Sequence, residues 1–186
     1  MTQPGAGPAT AIVVTGLPAS GKTTLARAVA DALGWPLLDK DEFLETLYET
    51  HEVQTLADRS RLSRQSDALF QRAAQEQSRV VLVSHWGAGP PSSGGTPTGW
   101  LNTHFDHLVE LCCLCPPDVA TARFQARRRH PKHLDHLRMA ADLQQQMQDR
   151  HEQLPLGLGP VVTVNTEGDV DLAAVLASDY LIRVQS

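Results

Sequence analysis

The sequence predicts an α/β fold in which a parallel sheet of five strands is covered on both faces by helices. Five short runs rich in Val, Leu and Ile alternate with longer segments whose apolar residues recur at helical spacing. A glycine-rich loop joins the first of these runs to the first helical segment. Alternating strands and helices are joined by right-handed crossovers, which place a helical layer on each face of a parallel sheet. The 186 residues suit one domain with a substantial core.

Each element rests on its own run of residues. The strands are expected at residues 11–15, 35–38, 79–84, 107–115 and 161–165. The helices are expected at residues 23–33, 42–52, 56–78, from about 118 into 127–129, from about 137 to 152, and from 172 onward. Residues 1–10 are expected to form a flexible leader, 11–180 a single domain, and 181–186 a tail.

The stretch from Gly16 to Thr23, G-L-P-A-S-G-K-T, fits the pattern G-x-x-x-x-G-K-[ST] at every fixed position. At the start of a helix, backbone N–H groups and the helix dipole favour a bound phosphate. Lys22 is expected to reach the outer phosphates of a nucleotide, and the Thr23 hydroxyl to ligate Mg²⁺. The alternative is a glycine-rich turn without a nucleotide, and the complete motif in its strand-to-helix context argues against it. The other residues expected to contact the nucleotide here are Gly16, Ala19, Ser20, Gly21 and Thr24.

Composition and charge disfavour several classes of protein. The chain has 16 Lys and Arg against 21 Asp and Glu, and a net charge of −5 argues against a protein bound to long DNA or RNA. Cys112, Cys113 and Cys115 lie too close together on one predicted strand for the spaced disulfides of a secreted protein. We therefore expect reduced thiols and a cytoplasmic protein. No targeting segment or long apolar run is present, so we expect no membrane partner.

Two acidic residues, Asp39 and Asp41, come directly after the second strand. Ligands of open α/β sheets bind outside the carboxyl ends of the strands, so we expect both to contact a substrate. The alternative role for Asp41 is to cap the following helix. His85 and Trp86 follow the third strand and either line the substrate pocket or pack in the core. The loop 87–99, with five Gly and three Pro, is also expected to contact substrate.

Basic residues concentrate in the segment 123–138, which holds six of the 16 Lys and Arg. We interpret it as a flap that faces phosphate. The alternative is a solvated helix end, since cations near a helix C-terminus complement its dipole. His130, His133 and His136 recur every three residues, but Pro131 interrupts the helix and no Cys or acid cluster completes a metal site. We therefore expect no metal there.

Together these motifs resemble the small P-loop kinases of the nucleoside-monophosphate-kinase-like group over about residues 11–178. The chain looks closest to the zeta-toxin, chloramphenicol-phosphotransferase and gluconate-kinase-like branch, with an AAA-type ATP-binding domain. The resemblance implies a P-loop NTPase three-layer sandwich with strand order 2-3-1-4-5, and a mobile helical lid at about residues 127–137. It also implies an enzyme that moves the γ-phosphoryl group of Mg-ATP to a hydroxyl of a metabolite, nucleoside, sugar or antibiotic.

The resemblance also gives roles to particular residues. Lys22 and Thr23 match the phosphate and Mg²⁺ residues, and Asp41 matches the carboxylate that accepts the proton of the substrate hydroxyl. The third strand ends in Ser84 without the acid that many P-loop proteins place near Mg²⁺, which leaves Asp39 as the candidate carboxylate. Looser matches are the lid arginines Arg123, Arg127 and Arg128, and the start of the adenine loop at Asn165 and Thr166.

Three classes of function remain open at this point. A small-molecule kinase uses every part of the motif set, with ATP favoured because no N-K-x-D base-reading motif occurs. A polynucleotide 5′-hydroxyl kinase shares these parts, but the acidic composition disfavours a groove for a nucleic-acid strand. A nucleotide-binding regulator or NTPase without an acceptor is the third class, and the intact Lys22, Thr23 and Asp41 argue against it.

Overall fold

The five strands form one sheet, in which every pair is parallel. A computed structural model describes residues 8–87, 94–135 and 140–185. Its strands are β1 (Thr10–Gly16), β2 (Leu37–Asp39), β3 (Arg79–Val83), β4 (His107–Leu114) and β5 (Val161–Asn165). Their order is β2-β3-β1-β4-β5, which confirms the predicted topology.

Helices connect the strands and cover both faces of the sheet. The helices in the described residues are α1 (Lys22–Leu33), α2 (Lys40–Thr50), α3 (Leu56–Gln75), α4 (Leu101–His104), α5 (Pro117–Ala126), α6 (Ala140–His151), α7 (Leu172–Leu176) and α8 (Asp179–Gln185). A 3₁₀ turn occupies Pro131–His133. No helix among these residues is both long enough and apolar enough to cross a bilayer.

The core is divided between the two faces of the sheet because side chains alternate along each strand. Ile12 and Val14 of β1 pack in one apolar cluster with Val29 of α1. Val13 points the other way, into a cluster that contains Phe70 of α3. All five side chains are fully buried, and each contributes about 1.5–3 kcal/mol to the hydrophobic stabilisation. The result is the three-layer arrangement that the sequence predicted.

The two ends of the chain differ from the expected leader and tail. Thr10, the last residue of the predicted leader, belongs to β1 and pairs with Arg79 of β3. Residues 1–7 of that predicted leader lie outside the described part. The predicted tail at 181–186 is helical as far as Gln185, and Leu181 is fully buried in the core cluster beside α1. Burial of that side chain makes α8 part of the domain, which corrects the prediction of a tail.

A buried carboxylate joins the centre of the sheet to the segment before β5. Glu110 of β4 is completely buried, and its Oε1 accepts hydrogen bonds from Thr15 Oγ1 at 2.7 Å and Leu156 N at 2.8 Å. Its Oε2 accepts from Leu158 N at 3.0 Å. A single side chain therefore satisfies two backbone groups that the irregular connector would otherwise bury without partners.

We expect Glu110→Ala to lower the free energy of unfolding by at least about 2 kcal/mol, because the buried donors Thr15 Oγ1 and Leu158 N would lose their acceptor and each buried unsatisfied donor costs about 1–3 kcal/mol. The partly buried N–H of Leu156 would lose its acceptor as well. Urea unfolding of both proteins measures the difference. Glu49→Ala, at an exposed position of α2, is the matched control. Equal losses in the two variants would contradict the structural role of Glu110.

Candidate active site

A cleft of about 940 Å³ opens at the carboxyl ends of the strands. Its walls come from the loop after β1, the start of α2, the end of β3, and parts of α3, α5 and α6. The carboxyl ends of parallel strands meet at one edge of a sheet, which is why residues distant in sequence converge there. This cleft gathers most of the side chains that the sequence analysis singled out.

The loop between β1 and α1 turns tightly on two glycines. Gly16 has a φ of 141°, and a Cβ there would lie 2.8 Å from the carbonyl oxygen of Cys113. Gly21 has a φ of 93° and precedes α1, whose first turn receives no side-chain cap. Ala19 also adopts a left-handed φ, of 61°. The uncapped N–H groups of α1 therefore remain available to an anion in the cleft.

Lys22 lies in the middle of this loop-and-helix junction. Its Nζ donates to the carbonyl oxygens of Gly16 at 3.2 Å and Leu17 at 2.6 Å. Burial lowers the pKa of Lys22 to about 8, so a nearby anion would stabilise its charged form. Thr24 is exposed in the wall of the cleft. Ser20 is fully buried beside Gly16.

Asp39 links the loop after β1 to the start of α2. Its Oδ2 accepts a hydrogen bond from Thr23 Oγ1 at 2.9 Å, and its Oδ1 accepts from Asp41 N at 3.0 Å. The second contact makes Asp39 the N-cap of α2, which begins at Lys40, two residues earlier than predicted. Burial raises the pKa of Asp39, partly offset by these two hydrogen bonds. The alternative role of helix cap belongs to Asp39 and not to Asp41.

Asp41 lies in the first turn of α2 with its carboxylate half exposed to the cleft. Its Oδ2 forms an ion pair with Arg129. Burial is the largest single effect and raises the pKa of Asp41, but the charge and hydrogen bond of Arg129 together with the charges of His133 and Lys40 outweigh it. The net pKa is lowered, so this carboxylate is ionised at neutral pH.

The three consecutive arginines after α5 do not all face the cleft. The helix predicted to run into residues 127–129 ends at Ala126, and Arg127 is extended. Side chains alternate in extended chain, so Arg127 and Arg129 line the cleft while Arg128 is exposed and does not. We therefore replace Arg128 by Arg129 in the candidate site. Pro131 was the signal in the sequence, since a proline disfavours helix at the residue before it.

Arg123 holds the loop after β5 in place. It donates to the carbonyl oxygens of Thr166 at 2.8 Å and Glu167 at 2.6 Å, while its side chain also borders the cleft. Thr166 is buried beside Gly21 and donates to the Leu114 carbonyl. Asn165 accepts from Glu167 N at 2.9 Å. Neither Asn165 nor Thr166 is part of the cleft wall, so the structure brings Arg123, but not these two, to the site.

His85 and Trp86 follow β3, and each takes a different one of the two roles that the sequence left open, pocket lining and core packing. Trp86 is buried, donates from Nε1 to the Val14 carbonyl oxygen at 3.0 Å, and packs against Phe70. It is a core residue. His85 is exposed and lines the cleft.

A polar network that the sequence analysis missed forms one wall of the cleft. Ser84 and Thr96 share a hydrogen bond of 2.5 Å, and Thr96 donates to Asp67 Oδ1 of α3 at 2.7 Å. Asp67 Oδ1 lies 3.4 Å from Lys40 Nζ. The same Nζ donates a hydrogen bond to Ser63 Oγ at 2.6 Å. Asp67 thus joins the end of β3 to the start of α2 through Thr96 and Lys40, and helical spacing gave no signal of its position.

The segment 127–135 packs against α2 and closes one side of the cleft. Besides the ion pair of Arg129 with Asp41, Lys132 Nζ donates to the His51 carbonyl oxygen at 2.9 Å. His133 is buried, and its Nε2 lies 2.9 Å from Glu45 Oε1. This is the part of the predicted lid that the structure describes; residues 136 and 137 lie outside it.

In the described residues, no group of three or more His, Cys, Asp and Glu side chains could hold a metal by itself. Thr23 and Asp39 nevertheless fit Mg²⁺. Their oxygen atoms, 2.9 Å apart, are the hard ligands that Mg²⁺ prefers, and such sites take their remaining ligands from water and phosphate.

Comparison with known proteins supports the predicted family and fold. The sequence pattern of the AAA_33 family, described as an AAA domain, matches residues 12–154. No curated protein matches the chain. A structure from Chloroflexus aurantiacus, provisionally described as a kinase, shares 25% identity, covers 97% of this chain and 100% of its own, and has a TM-score of 0.77.

Two further solved structures share the fold at lower identity. A gluconokinase from Sinorhizobium meliloti 1021 is 23% identical, with 96% of this chain and 94% of its own covered and a TM-score of 0.55. A shikimate kinase from Acinetobacter baumannii, in complex with shikimate, is 17% identical, with 95% and 92% covered and a TM-score of 0.62.

The buried His133 predicts a pH dependence of stability. Burial and the charge of Arg129 lower the pKa of His133 below its usual 6.5. As pH falls below 6.5, the unfolded chain therefore binds a proton at this position before the folded protein does, and stability is lost. We expect the free energy of unfolding of the wild type to fall more steeply between about pH 7 and pH 5 than that of His133→Gln.

Urea unfolding at several pH values measures these slopes. His107→Gln, which replaces an exposed histidine at the start of β4, should keep the wild-type slope. A His133→Gln slope identical to that of the wild type would rule out His133 as the residue responsible.

Proposed function

The chain belongs to the AAA_33 family, described as an AAA domain, and we propose that it transfers the γ-phosphoryl group of ATP to a hydroxyl of a small molecule. It is a small P-loop kinase of the nucleoside-monophosphate-kinase-like group, as the sequence predicted. The observation that carries the proposal is the shared carboxylate of Asp39. It fixes the hydroxyl of Thr23 on the nucleotide side and the position of Asp41 on the acceptor side of one cleft.

The nucleotide side of the cleft would bind the triphosphate. The uncapped start of α1 offers N–H groups to phosphate oxygens. Lys22 Nζ would leave the carbonyl oxygens of Gly16 and Leu17 and bind the outer phosphates. This exchange would be favourable because burial leaves the charge of Lys22 poorly solvated, and phosphate would stabilise that charge. Arg127, whose guanidinium lies 4.1 Å from the centre of the Phe124 ring, borders the same space.

Thr23 and Asp39 would hold Mg²⁺, the hydroxyl directly and the carboxylate either directly or through water. When bound, the ion supplies charge neutralisation on the phosphate oxygens. The protein's part is to keep the two oxygen ligands together, and the cap on α2 does so by fixing the rotamer of Asp39.

Asp41 would orient the acceptor hydroxyl and accept its proton. The hydroxyl oxygen forms a bond to the γ-phosphorus, the bond to the β,γ-bridging oxygen breaks, and ADP leaves with that electron pair. Because the pKa of Asp41 is lowered, the carboxylate is ionised and ready, although Arg129 must first release it. Phosphoryl transfer depends more on positioning and charge than on a strong base, so a weakly basic carboxylate suffices.

The chemistry of the cleft favours a small hydroxylated acceptor. Ser63, Ser84, His85 and Thr96 line the acceptor side with groups that hydrogen-bond hydroxyls. The related proteins described as gluconokinase and shikimate kinase are consistent with this class. A cytoplasmic location is part of the proposal, supported by three buried free thiols.

An ADP-release assay tests the proposal. Purified protein with Mg-ATP is screened against sugars, sugar acids, nucleosides, hydroxylated antibiotics and 5′-hydroxyl oligonucleotides. We expect Lys22→Ala and Asp41→Asn each to lower kcat/KM on the acceptor found by about 10²–10⁴-fold, because one loses a phosphate contact and the other the proton acceptor. Arg27→Ala and Asp31→Asn, exposed on α1, are the matched controls and should keep wild-type rates.

Other results would assign a different class. Activity only with oligonucleotides would identify a polynucleotide 5′-hydroxyl kinase. Tight ATP binding with release of ADP to water alone would favour the nucleotide-binding regulator or NTPase. Normal turnover by Asp41→Asn would show that this carboxylate is not the proton acceptor.

A further inference from the structure

One cation on the acceptor side of the cleft forms no ion pair with a carboxylate of the described residues. Lys40 lies 3.4 Å from Asp67, and Arg129 is paired with Asp41. The side chain of Arg59 on α3 lines the same wall, and within the described ranges its guanidinium makes no ion pair or hydrogen bond. Its Nε atom is buried without a partner.

An unpartnered guanidinium in a cleft wall is unusual on physical grounds. A buried N–H group without an acceptor costs free energy that a bound ligand can recover. The planar fork of arginine matches the two oxygens of a carboxylate or phosphate, and such charge-assisted hydrogen bonds are among the strongest in proteins.

A second group without a partner lies in the same neighbourhood. The hydroxyl of Tyr48 is buried on α2 and has no hydrogen-bond partner among the described residues. The side chains of Arg59, Arg129, Asp41 and Glu45 all lie near enough to this hydroxyl for their charges to act on it. Arg59 is also close enough to Lys40 for its positive charge to oppose protonation of that lysine, and an added anion would relieve both cations.

We propose that the acceptor carries an anionic group, a carboxylate or a phosphate, besides the hydroxyl that receives the phosphoryl group, and that Arg59 binds that anion. This inference rests on the proposed function, since it names the class of acceptor for the same cleft. The anion would place the hydroxyl beside Asp41 by charge pairing at a second point of the molecule. It would also compete with Asp41 for Arg129, which frees the carboxylate for the hydroxyl.

The first experiment finds the charge of the acceptor without choosing it in advance. A deproteinised small-molecule extract of cells is separated on an anion exchanger into an unbound fraction, with neutral and cationic compounds, and a salt-eluted anionic fraction. Each is incubated with the protein and Mg-ATP labelled in the γ-phosphate, with Lys22→Ala as the blank. We expect new labelled product from the anionic fraction.

Each other outcome has a distinct meaning. Product from the unbound fraction alone would overturn the anionic acceptor and leave the kinase proposal standing. Labelled product from neither fraction would count against the proposed function and this inference together. Treating the anionic fraction with a phosphatase, removed before the assay, separates the two sources: a phosphate monoester is lost as an acceptor and a carboxylate survives.

The second experiment assigns the anion to Arg59. With the active fraction, or with an acceptor purified from it, Arg59→Gln should raise the acceptor KM by about 10–100-fold and leave the KM for ATP unchanged. Arg59→Lys should recover part of that loss, because it keeps the charge but not the fork. Arg64→Gln, at an exposed position of the same helix outside the cleft wall, is the matched control and should match the wild type.

Thermal unfolding of the three variants checks that each folds as the wild type does. An unchanged acceptor KM in Arg59→Gln, or a raised KM for ATP in place of the acceptor, would overturn the assignment of this arginine to the acceptor.

Discussion

The carboxylate of Asp39 is the interaction on which the arrangement of the site depends. One oxygen accepts the hydroxyl of Thr23 and the other accepts the backbone N–H that starts α2. Because both contacts use a single buried side chain, the phosphate loop and the helix that carries Asp41 cannot shift independently. Burial raises the pKa of Asp39, and its two hydrogen bonds lower the pKa in part. A structural cap and a candidate metal ligand are therefore the same group.

Interactions between charged side chains link the start of α2 to the segment 127–135. Asp41, Arg129 and Asp135 form a chain of charges, with Arg129 Nη1 3.6 Å from Asp135 Oδ2. Charged groups that are partly withdrawn from water interact more strongly than exposed ones, so the segment has a defined place on α2. Anionic ligands compete for the same guanidinium. Under the proposed function, binding of an anionic substrate and release of Asp41 would therefore be linked by one shared cation.

Most of the fold could be read from the sequence because its signals are local. The five strands are short runs rich in Val, Leu and Ile, their alternation with helices predicted the parallel pairing, and their order followed from the resemblance. The phosphate loop is contiguous, so its residue types and spacing specify its geometry. Boundaries were less accurate where a side chain or a proline decided them. Asp39 starts α2 early, and α5 ends at Ala126, before the 3₁₀ turn that begins at Pro131. Leu181 shows that a short terminal helix is fixed by the core it packs on.

The sequence by itself determined the layered sheet, the nucleotide loop and the two acids after β2, since each depends on neighbouring residues. Only the tertiary structure decided which cations face those acids. Arg59 reaches the cleft because α3 packs beside β2, and Arg129 faces it because the chain there is extended. These contacts join residues far apart in the chain. Their geometry is set by packing and by the balance of charge in the cleft, which no local pattern of residues encodes.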